Sequence, residues 1–276
     1  MKVLLIGANS QLGRCIQDRV PADWSMTATT SDELDITCLE QVITAIKQHT
    51  PDVIINTAAY TAVDKAENEE QQAFSVNAVA VKNLALASQQ VGIRLIHIST
   101  DYVFDGLANM PYQPQDVPNP NGVYGRSKLA GELLALVHSS QSQIIRTSWL
   151  YSEYGNNFLK TMIRLAEQGQ TAVGVVNDQI GCPTYAGNLA QAIIQLLQQP
   201  IKGRLFHYCD PEVMSWYDFA KAIFDYRQAQ GQSYCRVNPI SSDEYPTAAR
   251  RPAYSVLQGS FDIKNYVRLF DVIDRL

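Results

Sequence analysis

Val3-Leu4-Leu5-Ile6-Gly7-Ala8-Asn9-Ser10-Gln11-Leu12-Gly13 opens the chain with an apolar run, a glycine turn and the start of a helix. Four successive large apolar residues read as a buried strand. Gly7 allows a tight turn, and Gly13 lets the following helix pack close to the sheet. The first N–H groups of that helix have no partner within it and face any pyrophosphate bound there. The spacing is Gly-x-x-Ser-x-x-Gly, with Ser10 where a dinucleotide fingerprint carries its middle glycine. The Ser10 Cβ hinders close phosphate approach, while its hydroxyl is a possible donor to the phosphate. The other reading is a strand-to-helix turn that binds nothing.

Outward from this turn, strand-like runs at 2–6, 25–29, 53–57, 95–99 and 144–147 alternate with helix-like segments at 11–20, 39–49, 69–91, 123–137 and 157–168. Such alternation implies parallel pairing through right-handed crossovers. The expected fold is therefore an α/β, Rossmann-type doubly wound parallel sheet. Ligands in such sheets sit beyond the carboxyl ends of the strands, where Thr57, Ser99-Thr100 and Thr147 fall. The rhythm loosens after about residue 150. There a strand is predicted over 171–176, a helix over 188–199, a strand over 205–208, a helix over 216–228 and a closing helix over 262–276. The division expected is a nucleotide-binding domain over 1–150, with strand and helix contributions from later segments, and a mainly substrate-binding region over 151–276. The stretch 111–122, rich in Pro, Gly and Asn, reads as a loop at the mouth of the site.

A hydrophobic fraction of 46% predicts a sizeable core rather than disorder. Twenty-seven acidic against twenty-two basic residues give a net charge of -5, with no basic block to neutralise phosphates, so nucleic acid is not an expected partner. No apolar run is long enough to span a bilayer, and the short run before Gly7 does not fit a signal peptide. Five cysteines (Cys15, Cys38, Cys182, Cys209, Cys235) are odd in number and lack metal-type spacing. They read as reduced thiols of a cytoplasmic protein, and no metal site is predicted.

Tyr124 and Lys128 stand four apart, on one face of a predicted helix, so phenol and ammonium can meet. A neighbouring ammonium favours phenolate, lowers the tyrosine pKa and makes a better proton shuttle. The Thr100 hydroxyl, at a strand end, is placed to hydrogen-bond the same reacting oxygen. Alone the pair is weak evidence, because Tyr-x-x-x-Lys arises by chance in a chain with fourteen tyrosines and also fits a solvated helix face. At the end of the second strand, where NAD enzymes carry an acid for the ribose 2′-hydroxyl, the chain has Thr29-Thr30-Ser31. That favours NADPH and leaves NADH acceptable. Arg14 is either a helper for the 2′-phosphate or a solvated helix residue.

Read together, several segments resemble the extended short-chain dehydrogenase/reductases, and among these the dTDP-4-dehydrorhamnose reductase family. The carrying motifs are Asp35-Ile36-Thr37, the run from Asn56 to Glu67, Ser99-Thr100-Asp101-Tyr102-Val103-Phe104-Asp105-Gly106 and Tyr124-Gly125-Arg126-Ser127-Lys128-Leu129-Ala130-Gly131-Glu132. Arg146 to Tyr151, Gly155 to Phe158, Asn177 to Thr184 and Arg251-Pro252 continue the match in order. The chain stops short of that family's usual C-terminal segment.

The resemblance implies reduction of the 4-keto group of a dTDP-linked 6-deoxysugar, the last step in making dTDP-L-rhamnose. It puts the cofactor against Gly7, Asn9, Ser10, Gln11, Leu12, Gly13, Asp35, Ile36, Ala58, Ala59, Tyr60, Tyr124 and Lys128. It puts the sugar nucleotide against Thr61, Val63, Thr100, Asp101, Tyr102, Tyr124 and Trp149, with Arg251 near the diphosphate, as a planar fork that can hold phosphate oxygens. Tyr124 is then the general acid, Thr100 orients the carbonyl, and Lys128 holds the nicotinamide ribose.

Simpler roles compete for several of these residues. Asp35 fits a helix N-cap, Trp149 an aromatic packed under a loop and Asn77 a partner for a neighbouring backbone group, while Gln179 either reads the thymine or ties the loop. Asp64, Lys65 and Glu67 read as loop-ordering ion pairs, and His97 and His207 as structural. The expected protein is a monomer or homodimer acting on a dTDP-sugar. Alternatives are a reductase of another nucleotide-linked 4-ketosugar, or a non-catalytic nucleotide-binding subunit similar to the regulatory subunit of methionine adenosyltransferase.

Overall fold

The computed structural model describes residues 1–199 and 201–276. Five strands follow the predicted runs closely: β1 (Lys2–Ile6), β2 (Ser25–Thr29), β3 (Val53–Asn56), β4 (Arg94–Thr100) and β5 (Ser142–Thr147). The later strands are β6 (Leu150–Tyr151), β7 (Ala172–Val176), β8 (Ile180–Gly181), β9 (Thr184–Tyr185), β10 (Leu205–His207), β11 (Met214–Ser215) and β12 (Arg236–Ile240). A six-stranded sheet runs in the order β10-β5-β4-β3-β1-β2, with every pairing parallel. The order reverses direction at β1 and β3, which opens a crevice beyond their carboxyl ends.

Helices cover both faces. On one, α1 (Gln11–Gln17) and α8 (Ala186–Gln198) bury Leu12, Ile16, Leu189 and Ile193 against Val3, Leu5 and Ile55. On the other, α2 (Leu39–His49) and α5 (Ala80–Val91) bury Val42, Ile46, Val81 and Leu84 against Leu4, Ile54 and Leu95. A separate core lies beyond the sheet. Here α7 (Phe158–Glu167) and α9 (Trp216–Ala229) pack Leu159, Ile163, Phe219 and Phe224 with Tyr151, Tyr185 and Val175 of β6, β9 and β7.

The segment expected as one helix over 69–91 is broken. After the one-turn α3 (Val63–Ala66), it runs as α4 (Glu70–Phe74), a π-helical turn over Ser75–Val79 and then α5. The π turn is fixed by tertiary contacts at Asn77, whose Oδ1 accepts the Tyr60 N–H at 2.9 Å and whose Nδ2 donates to the Tyr60 carbonyl and to Ser127 Oγ. Gly131 on α6 (Val123–His138) sits where a Cβ would clash with the Asn77 carbonyl, so the two helices touch through backbone.

The closing helix expected over 262–276 is only α10 (Leu269–Ile273). The residues before it form an anchored strap: Asn188 grips both the N–H and the C=O of Val267, and the Tyr266 hydroxyl donates to Glu212. These partners satisfy the backbone outside a helix.

One buried ion pair ties α6 to the sheet. Arg146 on β5 donates from Nε to Glu132 Oε1 at 2.9 Å and from Nη2 to Oε2 at 2.7 Å, with the Phe104 ring 5.0 Å from the guanidinium carbon.

Candidate active site

A cavity of about 880 Å³ opens along the carboxyl ends of β1 to β5. Its walls bring together residues far apart in sequence: Gly7, Asn9, Ser10, Gln11 and Leu12 of the first turn, Asp35 and Ile36, then Ala58, Ala59, Thr61 and Val63, then Thr100, Asp101 and Tyr102, and finally Tyr124, Lys128 and Trp149. Thr57, Ser99 and Thr147, the strand-end hydroxyls expected at a ligand site, also line it.

Three predicted residues do not. Gly13 lies behind the wall, where a Cβ would run into the Gly7 carbonyl, so its role is to let α1 close on the turn. Tyr60 points away and donates to Glu69 Oε2 at 2.7 Å. Arg251 pairs with Asp64 through both guanidinium nitrogens (Nη1 to Oδ1 3.0 Å, Nη2 to Oδ2 2.8 Å), so its fork is already filled. The loop over 111–122 contributes nothing to the cavity wall.

The first turn explains how a serine replaces glycine. Gly7 adopts φ +86, a left-handed conformation that glycine reaches at little cost. Ser10 is the N-cap of α1 and accepts the Gly13 N–H at 2.9 Å. Its oxygen is also 2.9 Å from Thr57 Oγ1, which donates to the Ile6 carbonyl at 2.8 Å. The Thr57 proton is therefore used, and the Ser10 proton points at Thr57. The hydroxyl expected as a phosphate donor instead braces the turn.

At the far end of the cavity, Thr30 and Ser31 stand in the wall, while Glu33 is bonded to the Thr30 N–H and hydroxyl. Asp35 accepts the Thr37 N–H at 2.9 Å and the Thr37 hydroxyl at 2.6 Å. These bonds form a turn ahead of α2, whose N-cap is Cys38, and hold the carboxyl below its usual range. Arg14 is exposed, with Asn9 as its partner, and is not in the wall.

The catalytic candidates converge because helix α6 starts against the 3₁₀ turn over Asp101–Val103. Thr100 caps that turn. Its hydroxyl donates to Asp101 Oδ1 at 2.9 Å and accepts the Tyr102 N–H at 3.2 Å. Its proton thus faces Asp101 in this structure. Burial pushes the Asp101 carboxyl up to about 6, against the lowering effect of the Ser255 and Thr100 hydroxyls.

Tyr124 departs from the expectation of a lowered pKa. Desolvation pushes its phenol up to about 12, with the Thr100 hydroxyl lowering it and the Asp101 charge raising it. Lys128 exerts no such pull because its amine is turned away. Nζ donates to the Ile98 carbonyl at 2.7 Å, and burial lowers the amine to about 8 while Glu132 raises it.

Trp149 has φ +45, a strained conformation for a bulky residue. Its indole lies flat on Trp216, with centroids 3.5 Å apart and planes 6° apart. Trp216, the first residue of α9, also lines the cavity. In the sequence it reads only as a helix start, and nothing in the spacing pairs it with a residue 67 positions earlier. Gln179 donates to Ser242 Oγ, which makes it a loop tie.

A family model described as the RmlD substrate binding domain matches residues 1–267. The dTDP-4-dehydrorhamnose reductase of Aggregatibacter actinomycetemcomitans is 44% identical over 265 residues, covering 93% of this chain and 90% of that protein. The crystal structure of dTDP-4-dehydrorhamnose reductase from Bacillus anthracis in complex with NADP superposes with a TM-score of 0.89 at 41% identity, covering 94% of this chain and 90% of that one. A reductase ortholog from Clostridium acetobutylicum gives the same TM-score, identity and coverage. With the family model spanning residues 1–267 and relatives of this identity over most of their length, the chain belongs to the RmlD family, that of the dTDP-4-dehydrorhamnose reductases.

Proposed function

We propose that this protein reduces the 4-keto group of dTDP-4-dehydro-β-L-rhamnose to give dTDP-L-rhamnose, with NADPH as the reductant. The observation that carries this reading is a single cavity joining the Gly7–Leu12 turn to Thr100, Tyr124, Lys128 and Trp149. The cavity suits a dinucleotide and a sugar. Its wall includes the side chains of Ser99 and Thr147, whose buried hydroxyl oxygens have no partner among the described residues and await polar groups of a ligand. Thr30 and Ser31, where an NAD site carries an acid, favour the 2′-phosphate of NADPH. The related Bacillus anthracis structure holds NADP.

The hydride that reduces the ketone would come from NADPH when it is bound. The chain's residues supply the proton and the alignment. Tyr124, its pKa raised by burial, is protonated at neutral pH and gives its proton to the oxygen as charge develops there, a contribution of ~10²–10⁴-fold. Thr100, locked by Asp101 and the Tyr102 N–H, fixes the phenol's direction, a positioning effect rather than a proton transfer. Trp149 would form the apolar wall for the deoxysugar, and Lys128 would hold the nicotinamide ribose once its amine leaves the Ile98 carbonyl. Gly7, Asn9, Gln11 and Leu12 would hold the pyrophosphate, and Asp35 and Ile36 the adenosine end. Arg251 reaches the diphosphate only by leaving Asp64.

Among the described residues no helix is long and apolar enough to cross a membrane, and all five cysteines are free thiols, which fits work in the cytoplasm. The test is the fall in absorbance at the nicotinamide band when purified protein meets NADPH and dTDP-4-dehydro-L-rhamnose. Turnover is expected with this sugar. No turnover with it, in protein that binds NADPH, overturns the reading.

A further inference from the structure

His97 has no place in the reaction as described, yet it sits directly under Lys128. It lies on β4, fully buried, with Nε2 3.4 Å from Lys128 Nζ and Nδ1 3.1 Å from Asn56 Nδ2. The orientation of Asn56 is settled by a third contact: its Oδ1 accepts the Ala58 N–H at 3.1 Å. The end of Asn56 turned to His97 is therefore the NH₂ group, which only donates. Nδ1 must accept, and the single proton of a neutral imidazole then resides on Nε2, facing Nζ.

That proton discriminates between the two forms of the lysine. An ammonium carries donors only and would oppose N–H to N–H, whereas an uncharged amine offers a lone pair to Nε2–H while still donating to the Ile98 carbonyl. We infer that His97, held in its Nε2–H tautomer by Asn56, is a positioning residue for Lys128: it retains the amine against β4 only when uncharged and turns the ammonium out towards the cavity. The other charge acting on the amine is Glu132, one turn along α6, whose carboxylate is already held by Arg146. Desolvation first, and Lys128 second, lower the His97 pKa well below its usual value, which favours the neutral ring.

The inference rests on the reading of Lys128 as the residue that meets the cofactor ribose. Protonation and the swing into the cavity become one event, so an ammonium arrives where hydroxyl oxygens and a nascent phenolate can receive it.

The direct test is imidazole ¹⁵N NMR on the free protein, with the His97 signals identified by their loss in His97→Gln. The expected spectrum shows a protonated Nε2 and an unprotonated Nδ1, with an Nε2 shift that titrates in wild type and not in Lys128→Met. A proton on Nδ1, or an Nε2 signal indifferent to Lys128→Met, overturns the inference. This arm needs neither cofactor nor sugar, so it fails or succeeds independently of the reductase assay. The second arm is the NADPH Kd by fluorescence. In His97→Leu the ammonium is free to stay on Ile98, and the Kd rises about 3- to 10-fold, the equivalent of one net hydrogen bond. His97→Gln, whose amide N–H stands in for Nε2–H, restores it. Equal Kd values in Leu and wild type contradict the inference, as does a Gln variant no better than Leu.

Discussion

Gly125 touches the backbone of Tyr102: a Cβ on Gly125 would collide with the Tyr102 carbonyl oxygen and lie 2.9 Å from Pro120 Cβ. This contact seats the first turn of α6 on the Asp101–Val103 turn and so brings the Tyr124 phenol to Thr100. Gly125→Ala must push the two elements apart. Turnover is expected to fall at least about tenfold, since small misplacements of catalytic groups carry such penalties. NADPH affinity should fall less than kcat, because the phosphate turn after β1 is untouched although Lys128 shifts with α6. Paired measurements of kcat and NADPH Kd check this, and an unchanged kcat would show that the backbone contact does not set the phenol.

The Arg146–Glu132 pair is buried at both ends, with side-chain exposures of 2% and 1%. Removing one partner leaves a charge stranded in the protein interior, which costs about 3–5 kcal/mol. Glu132→Ala should destabilise by that amount in chemical denaturation. A double variant, Glu132→Leu with Arg146→Leu, should recover a large part of the loss. Additive losses in the double variant would show that the charges do not depend on each other.

The Asp101 carboxyl gives a pH signature. Its folded pKa of about 6 lies above the ordinary 3.8, so between these values the folded protein holds a proton that the unfolded chain lacks. Stability from this group is full at low pH and is lost as pH rises through about 6. At neutral pH the buried charge costs on the order of 1–3 kcal/mol. Asp101→Asn should therefore be more stable than wild type above pH 6, with the gap closing as pH falls towards 4. Asp210, likewise raised to about 6, is common to both proteins and cancels in the difference. A gap independent of pH contradicts the assignment.

The indole of Trp216 supports that of Trp149, and such a pair contributes about 0.5–1.5 kcal/mol beyond burial. Trp216→Leu should raise KM for the sugar nucleotide about 2- to 10-fold while leaving KM for NADPH unchanged. A rise in both would mean a general loosening of the region instead.

The nucleotide-binding half was legible in the sequence because its signals are local. The run from Val3 to Ile6, the turn at Gly7 and the strand-end hydroxyls each state their position within a few residues, and the structure puts them where they were expected. In the far half the longer elements β7, α8, β10 and α9 fall where they were expected, but β6, β8, β9 and β11 were not legible, because they are two residues long and find partners far along the chain, as when Met214-Ser215 of β11 pairs with β8. Nor can periodicity show the π turn at Asn77, which exists because Tyr60 and Ser127 claim its side chain. The spacing of Tyr124 and Lys128 correctly placed both in one site but misjudged the electrostatics. A four-residue interval fixes a shared helix face, whereas the direction of the amine depends on a carbonyl and an imidazole from β4.

In the proposed mechanism the Tyr124 phenol delivers the proton to the sugar oxygen. This step is tested most directly by Tyr124→Phe in single-turnover reduction of dTDP-4-dehydro-L-rhamnose with NADPH pre-bound. NADPH binding equal to wild type is expected, with a reduction rate lower by about 10²-fold or more. A Phe variant that binds NADPH and reduces the sugar at a rate comparable to wild type would contradict it.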